Sequence, residues 1–378
     1  MDTFTHYFKW PVILTVLGVL LGGYVGWIYT GTMTGVLTYA FICAVLGVLE
    51  ISLSFDNAIV NANKLKTMTP KWQHRFLTWG IIIAVFGMRV VFPIAIVSIA
   101  GRIDPVSAVV LAATQPETYA QIMDDAHLSI VAFGGAFLLM VGLGFFFDAE
   151  KDVHWIAFIE NKIARVAGIV GVDTLITLAV IAGFTAYLPD EYKFTFLQSA
   201  VYGLITFIAV KMLGDLLDGG DDEEEETSTG KATTEMVAKG GLGAFLYLEM
   251  LDASFSFDGV IGAFAISQNL FIIAIGLGIG ALYVRSMTIM LVEKGTLNQF
   301  RYLEHGAFYA ILALAVIMFV QTIGHVPEVI TGLLGAGLIG VALWSSINYN
   351  RKNPAPVERA DSPNETTGMP GKTISDTL

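Results

Sequence analysis

Ten apolar runs, most of them about twenty residues long, constrain this chain more than any other feature of its sequence. They lie near residues 11–30, 36–60, 77–100, 128–148, 166–188, 194–217, 240–266, 270–292, 304–323 and 328–348. A helix needs about 20 apolar residues to cross a ~30 Å hydrocarbon core, whereas a membrane barrel shows alternating segments of about 10. Backbone groups find no water in hydrocarbon, so spans of this kind must be helices. The chain is 55% hydrophobic and 14% charged, against about 25% charged in soluble globular chains. The expected fold is all-α: a polytopic membrane protein with the lipid bilayer as its obligate partner. The first run has no small-residue cleavage site before Gly31 and reads as a retained span.

Basic residues orient the spans, because short cytoplasmic loops carry the excess of lysine and arginine. With the N-terminus inside, 17 of the 21 fall on the cytoplasmic side, and only Arg102 and Lys193 fall outside. Arg89 and Arg285 are left in mid-span. The expected location is the cytoplasmic (inner) membrane, with both termini cytoplasmic. Residues 1–35 read as an N-terminal span and short loop, 36–217 as a first membrane half and 238–349 as a second. Between them, 218–237 is an acidic cytoplasmic linker containing GGDDEEEETSTG, and 350–378 is a tail of disordered composition. Much of the net charge of −12 sits in these two segments, and no nucleic-acid partner is expected. The single cysteine, Cys43, lies inside an apolar run, so neither a disulfide framework nor a cysteine metal site is available. The Ala-Val run at 106–113 reads as a surface or re-entrant helix.

One motif occurs twice. Glu50-Ile-Ser-Leu-Ser-Phe-Asp-Asn57 and Asp252-Ala-Ser-Phe-Ser-Phe-Asp-Gly259 match in acid, serine, serine, phenylalanine and aspartate without a gap. Each is followed by an arginine midway along the next span, Arg89 and Arg285. The motif spans are the second and seventh, so they cross the membrane in opposite directions and the halves are inverted-topology repeats. Transporters built from such repeats place their substrate sites near the midplane, on interrupted helices. At about 1.5 Å per residue, Glu50, Asp56, Asp252, Asp258, Arg89 and Arg285 all fall in the central third of their spans. On an unbroken helix the last aspartate of each motif projects about 120° away from the first acid. Either the helix unwinds near Ser54 and Ser256, or one acid faces an ion while the other faces an arginine.

Ionised carboxylates at bilayer depth cost at least about 2.5 kcal/mol each, so they persist mainly for function. Glu50, Asp56, Glu249, Asp252 and Asp258 outnumber Arg89 and Arg285, and a dication or protons would balance the excess. The motifs offer carboxylate, hydroxyl and amide oxygens without histidine or cysteine, which suits Mg2+, Ca2+ or Mn2+. Glu249 and Asp173 are weaker candidates. Phe55 and Phe257 read as core or gate, Cys43 and Met250 as packing, and the six histidines as span-end or loop residues. No zinc-binding His-Glu pair, nucleophile elbow or redox centre accompanies the acids, so neither an enzyme nor a resident cofactor is expected.

At these residues the chain resembles the TerC family of integral membrane proteins, named for tellurium resistance and containing manganese exporters. The resemblance rests on Glu50 to Asn57, on LEMLDASFSFDGVIGAFAIS at 248–267, on Arg285 and on RYLEHGAF at 301–308. The second motif departs from the family at Gly259, where a serine is usual. The resemblance implies export of a divalent cation, Mn2+ first and Ca2+ or Mg2+ next, with Asp56 and Asp258 as direct ligands. Glu50, Asn57 and Asp252 would assist, Ser54 and Ser256 would add hydroxyls, and Arg89 and Arg285 would act as counter-ions. Proton exchange is a natural coupling. The alternative is a non-transporting membrane scaffold, or a partner in metal-stress or tellurite resistance.

Overall fold

The computed structural model describes residues 3–353 apart from 81, 149–150, 152, 168, 219–240, 296–298 and 325, and it is helical throughout, with no strand among the described residues. The acidic linker and nearly all of the tail therefore lie outside the described residues. Among the described residues, eight helices are long and apolar enough to cross a membrane. They belong to α1 (Thr3–Thr30), α2 (Met33–Leu53), the segment ending in α5 (Phe92–Ala100), α8 (His127–Phe146), α11 (Asp190–Asp218), α13 (Leu270–Glu293), α14 (Leu303–Gln321) and α15 (Glu328–Lys352).

The other two expected spans form differently. α10, Val172–Tyr187, has 16 residues, or about 24 Å of helix, short of a ~30 Å core. It begins after Gly171, held at φ +84°, and ends at Leu188 in extended backbone, as the following Pro189 favours. α12, Leu242–Ile266, is 25 residues long, but Glu249, Asp252 and Asp258 interrupt its apolarity. The short helices are α3 (Phe55–Lys66), α4 (Pro70–Arg75), α6 (Pro105–Thr114), α7 (Pro116–Asp125) and α9 (Ala157–Ala164). α6 realises the helix expected at 106–113, started by Pro105 and capped by Asp104, which accepts from the Val106 and Ser107 N–H groups. α15 runs to Lys352, two residues past the expected start of the tail.

α8, α13 and α14 form the inner layer, with 72%, 67% and 61% of their apolar stretches enclosed, against 17% for α1. Outward-facing Trp10, Leu20, Phe41, Phe86, Ile99 and Trp344 are exposed, as expected of surfaces that meet lipid. Helix contacts repeat between the halves. α13 packs on α2 and α3 as the segment before α5 packs on α12, and α14 packs on α3 as α8 packs on α12. α15 lies against α14 as α11 lies against α8.

Small residues set the closest approach. On α13, Gly276 and Gly280 are four apart and face α2, where a Cβ would collide with Leu46 and Glu50 respectively. A small-xxx-small face of this kind lets membrane helices approach without side chains between them. Here it presses the base of the Glu50 side chain and the Gly47 backbone onto α13.

Lys151, Trp155 and Ile156, ahead of α9, are held by Glu160, only 1% exposed. Its carboxylate accepts from Lys151 Nζ at 3.0 Å, the Ile156 N–H at 3.0 Å and Tyr309 Oη at 3.2 Å, and lies 3.4 Å from His305 Nε2. Burial pushes this carboxyl up, but His305, the Ile156 N–H and Lys151 together hold it well below the usual carboxylate range. His305 sits at a span end, in the first turn of α14, as expected, but it is 3% exposed and locked in this cluster. Glu160 draws it inward, because a buried carboxylate must gather donors.

Candidate functional site

The first motif bends at Ser54. α2 ends at Leu53, Ser54 adopts φ −104° and ψ 17°, and α3 restarts at Phe55. Ser54 N–H still donates to Glu50 O at 2.9 Å and Ala58 N–H to Ser54 O at 3.2 Å, so the break is a sharp kink without a loop. Asp56 falls in the first turn of α3, where a carboxylate complements the positive helix end, and its Oδ1 accepts from Asn57 N–H at 3.0 Å. α12, by contrast, runs unbroken through Ser256. Of the two alternatives left open by helix geometry, the first motif takes both: the helix breaks, and its first acid faces an arginine.

That acid is Glu50, 2% exposed, bonded by Arg89 and by Ser54 Oγ at 3.0 Å. Arg89, itself 2% exposed, also donates to Ala84 O and approaches Asp252 Oδ2 at 3.9 Å. Its position comes from two π-helical stretches, π1 (Phe76–Gly80) and π2 (Ile83–Val91). Each wider π turn absorbs an extra residue and so rotates the side chains that follow, a device common at functional sites. Asn57 Nδ2 donates to Asp252 Oδ1 and joins the two motif copies directly. Gly259 supplies room, since a Cβ there would stand 3.2 Å from Glu50 Oε2.

Between α3, the π-helical stretches, α12 and α13 lies a cavity of ≈ 40 Å³. About 10–15 Å³ suffices for one water-sized occupant. Asn57, Asn61, Glu249 and Asp252 line it, together with Arg89 and Arg285. Four of the oxygens on these residues, Asn57 Oδ1, Asn61 Oδ1, Glu249 Oε1 and Asp252 Oδ2, are buried without a hydrogen-bond partner. Asn57 and Asn61 are one turn apart on α3, and Glu249 and Asp252 nearly one turn apart on α12, so each pair shares a helix face. Gly80 of π1 lets Glu249 in, because a Cβ there would lie 2.7 Å from Glu249 Oε1.

The expected site is thus redistributed. Glu50 and Ser54 serve the Arg89 network, while Asn57 and Asp252 reach the cavity. Asp56 lines a different cavity, at the Ser54 break, with Gly259 and Thr331. The side chains of Asp258 and Phe257 lie outside the described residues. Ser256 is 4% exposed and is absent from the linings of both cavities. Asp173 stands at the start of α10, accepting from Thr174 N–H at 2.7 Å, and lines neither cavity. Glu249, expected as a weaker candidate, is in the wall. Asn61 went unanticipated, although its place four residues after Asn57 was the available signal. Among the described residues, no three His, Cys, Asp or Glu side chains converge as a metal-holding group; the cavity combines two carboxylates with two amides.

A family model described as a protein of unknown function, DUF475, matches residues 55–353. No curated protein and no solved structure matches the chain.

Proposed function

This chain belongs to the DUF475 family, and we propose that it is a membrane transporter for a hard divalent cation, with Mn2+ the first candidate. The observation that supports this reading is the set of four unpartnered oxygens on one cavity. A buried oxygen without a partner costs about 1–3 kcal/mol, and more when it is charged. Four together amount to a desolvation cost that a cation would offset. Two carboxylate and two amide oxygens are hard donors, the class preferred by Mg2+, Ca2+ and Mn2+.

The arginines do not make this an anion site. Arg89 places its Nη2 on Glu50, although its Nε and that of Arg285 are buried without a partner, and across the cluster Glu50, Glu249 and Asp252 outnumber Arg89 and Arg285. In this reading Arg89 holds Glu50 and Asp252 apart when the ion has left, and Arg285 answers the remaining charge. Two carboxylates leave the ion replaceable, as transport requires, where a closed structural site would hold it. Manganese as the substrate, export as the direction and the cytoplasmic placement of both termini follow from the TerC resemblance and the basic-residue asymmetry. Protons replacing the departing ion would supply the coupling.

The test is flux. Purified chain is reconstituted into liposomes holding a Mn2+-quenched fluorophore, and Mn2+ is added outside under imposed pH gradients. Wild type is expected to quench the dye, and Asp252→Asn to slow the initial rate by on the order of tenfold or more, at least what loss of a supporting ligand costs a metal site. Wild-type protein that moves no Mn2+ under any gradient sinks the proposal.

A further inference from the structure

The second cavity, of ≈ 20 Å³, lies at the Ser54 break, and Asp56, Phe55, Phe255, Gly259, Thr331 and Gly332 are among the residues of its wall. It has room for one water-sized occupant. Asp56 is 5% exposed, and among the described residues no lysine, arginine or histidine forms an ion pair with it. Its neighbour in sequence, Asn57, faces the first cavity. One peptide step therefore separates the two.

Thr331 is the independent observation. It is 7% exposed, and its Oγ1 has no hydrogen-bond partner. Helical threonines in apolar surroundings ordinarily satisfy the hydroxyl on the carbonyl four residues back. Thr114, Thr185, Thr206 and Thr288 all do so here, at 2.7, 2.7, 2.8 and 3.0 Å. Thr331 does not, and its hydroxyl is left over in the wall that contains Asp56. The next residue, Gly332, lies against Leu53 at the break, where a Cβ would approach Leu53 Cδ2 to 3.3 Å.

We infer that Asp56 and Thr331 form a second station for a hard cation, a carboxylate and a hydroxyl in a cavity separate from the one lined by Asn57, Asn61, Glu249 and Asp252. The inference rests on the transporter reading above. An ion crossing the protein would exchange the amide and carboxylate oxygens of the first cavity for the Asp56 carboxylate and the Thr331 hydroxyl. Asp56 and Asn57 are neighbours on α3, and the rotation of about 100° per residue turns them toward different cavities.

Equilibrium binding separates this inference from the reading beneath it. Mn2+ is titrated into the purified full-length chain in detergent, and free ion is counted by its electron paramagnetic resonance signal. Wild type is expected to bind two ions and Asp252→Asn one. Thr331→Val, nearly isosteric, is expected to weaken one of the two by about tenfold, and Thr331→Ser to restore it. Asp56→Asn provides the same test should the valine variant not fold. A wild-type stoichiometry of one, or two ions whose affinities neither Thr331→Val nor Asp56→Asn changes, overturns the second station while leaving the first intact. Absence of Mn2+ binding by wild type overturns both.

Discussion

Glu50–Asn57 and Asp252–Gly259 share an acid, two serines, a phenylalanine and an aspartate in register, yet the chain does not use them alike. The first copy kinks at Ser54 and spends its leading acid on Arg89, whereas the second stays helical and keeps Asp252 Oδ2 without a hydrogen-bond partner in the cavity. The one-residue difference at the motif's end is complementary. Asn57 reaches across to bond Asp252, and Gly259 leaves the space that Glu50 occupies. Of the two copies, one holds and the other presents. Neither is a complete site, since the cavity wall takes its amides from α3 and its carboxylates from α12.

The largest test of that asymmetry compares the two arginines. Arg89→Ala leaves Glu50 buried and uncompensated, which costs about 3–5 kcal/mol. Arg285 is in no ion pair among the described residues, so Arg285→Ala is expected to cost less than about 1 kcal/mol, within the range of substitutions that break no buried pair. Thermal unfolding and the monodisperse fraction in detergent would show the difference. Removing both charges in Glu50→Ala/Arg89→Ala should recover much of the loss, because the penalty is the stranded charge. Equal destabilisation by the two arginine variants would mean that the copies carry equal structural weight.

How much of this was legible beforehand depends on the residue. The apolar stretch foreseen at 128–148 is α8 at His127–Phe146, because twenty apolar residues have one solution in lipid. The kink was legible only as one of two alternatives, and for Ser54 and Ser256 alike; the chain breaks at Ser54 and stays helical through Ser256. The division of labour was not legible. It depends on π1 and π2 setting the direction of Arg89, and on Gly276 and Gly280 drawing α13 onto Glu50, relations between segments far apart in sequence. Asn61 and Thr331 escaped because an asparagine or threonine in an apolar helix has many ways to be satisfied. Only the packed structure shows that these two are not.

The bond between the copies ranks next. Asn57→Ala removes the donor to Asp252 Oδ1, and hydrogen bonds to charged groups contribute about 1.5–3 kcal/mol. A fall in thermal stability smaller than that for Arg89→Ala, accompanied by weaker Mn2+ binding, is the expected pair of results. Lost stability with unchanged binding would leave Asn57 as a brace and take its Oδ1 out of the proposed ion shell.

The smallest effect belongs to Gly259→Ala, and its sign is the informative part. Alanine gains about 0.8–1 kcal/mol over glycine inside a helix. Its Cβ, however, would sit 3.2 Å from Glu50 Oε2, and crowding in a packed interior costs typically 1–3 kcal/mol. Glu50 is held from other directions by Arg89 and Ser54, so the carboxylate has little freedom to retreat. The balance is expected to be a loss of up to about 2 kcal/mol by these two figures, read as a drop in the unfolding temperature. In a Glu50→Ala/Arg89→Ala background the obstacle is gone, and the same substitution should become stabilising. If Gly259→Ala has the same sign in both backgrounds, the space at Gly259 is not kept for Glu50, and the complementarity of Asn57 and Gly259 is a coincidence of sequence.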